Sequence, residues 1–154
     1  MKNRLEDTEV CYIHTELTIW GSRRLRDLVG AIEASHAVVF WESETEDLCS
    51  LSVRCEPECE DTGRPFPSDV EVAELVTLLE GLPPAAKALL AEAQGIELSA
   101  GWISGAGGRE ESATWPPQLL ARVAAVGASL QAVVYPAGDQ VWTDERLQRL
   151  RPSK

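Results

Sequence analysis

The chain has 154 residues, 44% hydrophobic and 25% charged, enough for one globular domain over 1–154, with residues 1–10 and 151–154 expected as flexible ends. Twenty-five acidic against fourteen basic residues give a formal net charge of -11, which repels phosphate backbones and argues against a nucleic-acid partner. No window reaches the roughly 18 uninterrupted apolar residues of a membrane span. The charged start, Lys2 to Glu9, lacks a secretory signal, so a cytoplasmic protein with free thiols is predicted.

In chain order, Cys11 to Trp20 alternates, with Cys11, Ile13, Leu17 and Ile19 on one side and Glu16, Thr18 and Trp20 on the other, the pattern of a strand. Gly21 is expected to break it and Ser22 to cap a helix of about three turns, striped by Leu25, Leu28, Val29 and Ile32. Ala37 to Glu42, through Val38, Val39, Phe40 and Trp41, reads as a strand buried on both faces or nearly so. A polar turn over Ser43 to Asp47 leads to a strand from Leu48 to Cys55, with Cys49, Leu51, Val53 and Cys55 sharing a face, so a hairpin is predicted.

The proline- and glycine-bearing stretch 56–67 reads as a loop. Ser68 and Glu71 form a capping-box pattern for a helix carrying Val72, Leu75, Val76 and Leu79, stopped by Gly81, Pro83 and Pro84. A second helix starts at those prolines, uses Leu89, Leu90 and Ala93, and ends at Gly95. Ile96 to Ile103 is a strand with Ile96, Leu98, Ala100 and Trp102 together. After a glycine-rich connection, Pro116 and Pro117 open a helix striped by Leu119, Leu120, Val123 and Val126 and closed by Gly127. A strand over Leu130 to Tyr135 and a short terminal helix after Thr143 complete the order β-α-β-β-α-α-β-α-β-α. That order predicts an α+β domain in which helices cover one face of a five-stranded mixed sheet, with the ferredoxin-like plan as a relative.

The strongest functional signal is a run of carboxylates at Glu42, Glu44, Glu46, Asp47, Glu56, Glu58, Glu60 and Asp61, opposed within that stretch only by Arg54. Such a concentration attracts basic surfaces. These eight residues are the candidate partner-binding set, with Trp20 or Trp41 as an aromatic anchor. Cys49, Cys55, Cys59 and His36 are the candidate metal ligands, but paired CxxC knuckles are missing, and alternation puts Cys49 and Cys55 on the apolar face. No metal or other cofactor is therefore expected. Cys59 with His36 is the pairing a thiol enzyme would need; the glycines at 105, 107 and 108 fit neither GK[ST] nor GxGxxG, and no catalytic constellation emerges.

The strings TELTIWG at 15–21, LVTLLEGLPPAAKALLAEAQGIELSAGWIS at 75–104 and PPQLLARVAAVGASLQAVVYP at 116–136 resemble the bacterial domain of unknown function family 4279, best in the C-terminal half. The sequence departs from that family over 35–65, where an acidic, cysteine-bearing region stands in place of a Lys-Gly turn. The resemblance implies an α+β fold and carries no site residues. In general character the chain is similar to immunity proteins that bacteria encode against their own toxins. The reading is a non-enzymatic module that binds a basic protein, such as a cognate toxin, and neither nucleic acid nor membrane. The alternatives are a zinc- or thiol-dependent enzyme or sensor using Cys49, Cys55 and Cys59, and a small-ligand binder.

Overall fold

The computed structural model describes residues 11–55, 68–103 and 113–135. Its elements are β1 (Cys11–Ser22), a 3-10 segment (Arg23–Leu28), α1 (Val29–Glu33), β2 (Ala37–Glu44), β3 (Leu48–Cys55), α2 (Ser68–Gly81), α3 (Pro84–Leu90), β4 (Gly95–Ile103), α4 (Pro117–Ala125) and β5 (Ser129–Tyr135). The fold is α+β around one open mixed sheet, in which the described strands lie in the order β2-β3-β1-β4-β5. The first four are antiparallel to their neighbours, and β5 runs parallel to β4. The predicted loop over 56–67 and the terminal helix after Thr143 lie outside the described residues.

Period-two alternation builds the core. Leu17 and Ile19 of β1, Cys49, Leu51 and Val53 of β3, and Ile96 and Leu98 of β4 are all buried and pack in one cluster. The helix layer answers with Leu25, Leu28 and Ile32 from the first helical stretch, Val72, Leu75, Val76 and Leu79 from α2, and Leu119 and Val123 from α4. Ala100 and Trp102 continue the same side of β4 as a smaller cluster, where Trp102 meets Trp115 edge-on at 6.2 Å between ring centroids.

Several expectations need correction. Gly21 does not break β1, which runs on to Ser22. A Cβ on Gly21 would sit 3.0 Å from Leu25 Cδ1 and 3.1 Å from Gln94 N, so the glycine serves a close approach. Ser22 makes no capping hydrogen bond, and the predicted three-turn helix is a six-residue 3-10 segment followed by one turn or so of α-helix. The Leu25–Leu28 step of three residues suits a 3-10 helix as well as an α-helix, so spacing alone did not separate them. Closure of α1 places His36 in the left-handed region, at φ 59°.

The strand β2 is not buried on both faces. Among the described residues its one neighbour is β3, and Ala37 is buried while Val38 and Phe40 are 37% and 38% exposed. An unbroken apolar run does not reveal whether a second neighbour exists. The strand also continues to Glu44, so the turn is shorter than Ser43 to Asp47: Thr45 N donates to Leu48 O at 2.8 Å, and Leu48 N to Thr45 Oγ1 at 3.2 Å. Leu120 is not on the inner stripe of α4 but 44% exposed. That helix ends as expected, with Gly127 at φ 73°, Gly127 N bonded to Ala124 O and Ala128 N to Val123 O, the paired bonds of a Schellman motif.

Candidate functional site

The hairpin of β2 and β3 displays half of the predicted acidic set. Register pairs Glu42 with Leu51 and Glu44 with Cys49, so both carboxylates leave the strand on the side that faces the helix layer. There the arginines of the 3-10 segment meet them. Arg23 Nε donates to Glu44 Oε1 at 2.6 Å, Arg26 Nη1 to Glu44 Oε2 at 3.4 Å, and Arg26 Nε lies 3.7 Å from Glu42 Oε1. Arg54 is thus not the sole opposing cation, as a count along the chain suggested. Arg23 and Arg26 come from 21 and 18 positions before Glu44, which no window over the acidic run includes. Glu46 and Asp47 stand exposed at the tip.

Trp20 is 36% exposed on the other side of the sheet, in register with Ser50 of β3 and Gly95 of β4. A Cβ on Gly95 would collide with the indole, so this glycine is the seat of the ring. Trp20 and the Glu42 and Glu44 carboxylates therefore occupy opposite faces. Trp41 is placed by its backbone, opposite Ser52 in β3. Glu56, Glu58, Glu60, Asp61 and Cys59 lie outside the described residues.

On the Trp20 side the sheet gathers a second charged group that the sequence reading missed. Arg54 Nη2 donates to His14 Nε2 at 2.7 Å and lies 3.6 Å from Glu16 Oε2, while its guanidinium carbon stacks 4.4 Å above the Phe40 ring centroid. Burial first, and the Arg54 charge second, push the His14 imidazole down to about 3, so the ring is neutral and accepts through Nε2. Alternate positions 14, 16 and 54 were legible as one face of two strands, but their adjacency depends on β1 pairing with β3. Nearby, Gln131 Nε2 donates to Glu97 Oε1 at 2.7 Å and to Ser99 Oγ at 2.8 Å, tying β5 to β4.

Of the candidate metal and thiol residues, the fold sets Cys49 apart from Cys55 and His36, and Cys59 lies outside the described residues. Cys49 is buried in the core, and its thiol is raised by burial and by Glu42 and Glu44. Cys55 is pushed up to about 12 by burial, then by Glu74 and Glu71, so it carries almost no thiolate at neutral pH. Cys55 and His36 do share one open groove of about 890 Å³, beside α2 and α4. Among the described residues no group of three or more His, Cys, Asp or Glu is placed to hold a metal ion, and no helix is long and apolar enough to cross a membrane.

Comparison with protein-family models, with curated proteins and with solved structures found no match.

Proposed function

We propose that the protein is a non-enzymatic binding module, an acidic immunity-type inhibitor of a basic protein partner such as a cognate toxin, acting in the cytoplasm. The observation that carries this reading is the braced acidic hairpin: Glu42 and Glu44 are held by Arg26 and Arg23, and Glu46 and Asp47 project beyond them. A hairpin fixed in this way loses little freedom on binding, and unpaired carboxylates at its tip steer a cationic surface toward it. Glu56, Glu58, Glu60 and Asp61 follow β3 in sequence and add to the negative charge of the chain. The net charge of -11 adds a long-range field of the same sign.

Kinship with family 4279 and a ferredoxin-like derivation belong to the same proposal. Support for the ferredoxin-like plan is the connection order of the first four strands together with their sheet order β2-β3-β1-β4, every neighbour antiparallel, to which β5 adds a fifth strand. The test is a tagged pull-down from the source cells at low and at high salt, with retained proteins identified by mass spectrometry. One basic protein held at low salt and released at high salt is the expected result. Retention of the same proteins at both salts, or of acidic proteins, overturns the reading.

A further inference from the structure

We propose that Trp20 and Glu97 form a subsite for an arginine side chain of the basic protein partner, an inference that rests on the partner class proposed above and extends the contact surface from the hairpin tip onto the sheet face opposite the helices. Strand β1 pairs Trp20 with Gly95 and Thr18 with Glu97 of β4, so Trp20 and Glu97 are diagonal neighbours on that face. The indole lies over Gly95, where any side chain would collide with it, and the ring is partly exposed. Ser50, in register with Trp20, and Leu48, in register with Ser22, share the face by alternation, and Leu48 is exposed. Leu48 directly follows Glu46 and Asp47, so this surface is continuous with the hairpin tip.

Charge and ring chemistry together define the occupant. Glu97 accepts from two neutral donors, Ser99 Oγ at 3.2 Å and Gln131 Nε2 at 2.7 Å, and both bonds fall on Oε1. Among the described residues its carboxylate therefore meets no cation, and Oε2 is free. The arginines that follow Trp20 in sequence are engaged elsewhere: Arg24 Nη1 donates to the two Glu92 oxygens at 3.0 and 2.9 Å, and Arg23 Nε donates to Glu44 Oε1 at 2.6 Å. The same face shows the completed arrangement once, where the Arg54 guanidinium lies 4.4 Å above the Phe40 ring centroid and 3.6 Å from Glu16 Oε2. Trp20 with Glu97 repeats the ring and the carboxylate without the cation. A planar guanidinium stacks on an indole while its N–H groups reach a carboxylate; the point charge of lysine matches that pair less well, and an anionic side chain is repelled.

The experiment titrates isotope-labelled protein with hexa-arginine, and in parallel with hexa-lysine, following backbone amide and indole N–H signals by NMR. Hexa-arginine is expected to shift the Trp20 indole and amides 95–97 together with 46–48, and to bind more tightly than hexa-lysine. Trp20→Leu keeps an apolar cover on Gly95, and Glu97→Gln keeps an acceptor for Gln131. Each variant is expected to lower hexa-arginine affinity by about threefold or more and to bring it toward that of hexa-lysine. Equal binding of the two peptides by wild type, or unchanged hexa-arginine affinity in folded Trp20→Leu, overturns the proposal. So do shifts confined to 46–48, which leave the hairpin reading standing, and concentration-dependent Trp20 shifts without peptide, which make a second copy the occupant. Shifts at Trp20 and 95–97 with none at 46–48 support the subsite and overturn the hairpin reading, and an absence of binding overturns both.

Discussion

At the scale of single residues, His14 makes the sharpest statement. In the folded chain its pKa is about 3, against 6.5 for an unperturbed histidine, because the ring is buried and faces the Arg54 guanidinium. Between those values the unfolded chain binds a proton that the folded chain refuses, so stability is full above pH 6.5 and falls as pH drops toward 3. The loss is at most about 1.4 kcal/mol per pH unit. His14→Gln keeps an acceptor for Arg54 and removes the titration. Urea unfolding at pH 6 and pH 4.5 is expected to show a smaller pH difference for the variant than for wild type; equal differences would contradict the neutral, buried ring. Cys55 supplies a second check. With a pKa of about 12, roughly one thiol in ten thousand is ionised at pH 8. Iodoacetamide at pH 8 with peptide mapping is expected to label Cys55 far more slowly in native than in urea-unfolded protein. Equal rates would rule out the partly buried setting beside Glu74 and Glu71.

At the scale of elements, the glycines separate turn chemistry from packing. Gly127 closes α4 at φ 73°, so Gly127→Ala is expected to destabilise the fold by about 1 kcal/mol or more. Gly81 has no positive φ and open space at its Cβ, so Gly81→Ala is expected to be neutral or stabilising by up to about 1 kcal/mol. Thermal unfolding of the two variants tests the contrast, and similar shifts for both would contradict it. Element identity was well written into the sequence where local signals agreed, as in α2, whose four-residue stripe is fully buried, and β3, whose Cys49, Leu51 and Val53 are buried together. It was poorly written where the deciding contact is distant. Gly21 resembled a strand breaker because the Leu25 and Gln94 atoms that require it are invisible locally. The apolar run of β2 resembled a strand buried on both faces because the exposure of Val38 and Phe40 depends on sheet order.

At the scale of the whole molecule, the α+β class followed from the order of elements, since hairpins interleaved with helices have few ways to bury one apolar face each. The candidate site was only half legible. Local charge density marked the hairpin carboxylates, yet the arginines that brace Glu42 and Glu44 come from the 3-10 segment packed beside β2, and the His14–Arg54–Glu16 group on the other face arises from the pairing of β1 with β3. Separation of Trp20 from Glu42 and Glu44 by the thickness of the sheet changes the expected contact surface: those carboxylates face the helix-layer side, and Trp20 belongs to the opposite face.

The central claim is that the braced acidic hairpin binds a basic protein. Its most direct test measures the affinity of wild type and of Glu46→Lys, Asp47→Lys for the basic protein retained in the low-salt pull-down, by calorimetry over a series of salt concentrations. Wild-type affinity is predicted to weaken steeply with salt, and the charge-reversed variant, folded to the same thermal midpoint within a few degrees, to bind at least tenfold more weakly at low salt. Equal affinity of the two proteins across the salt series would contradict the account.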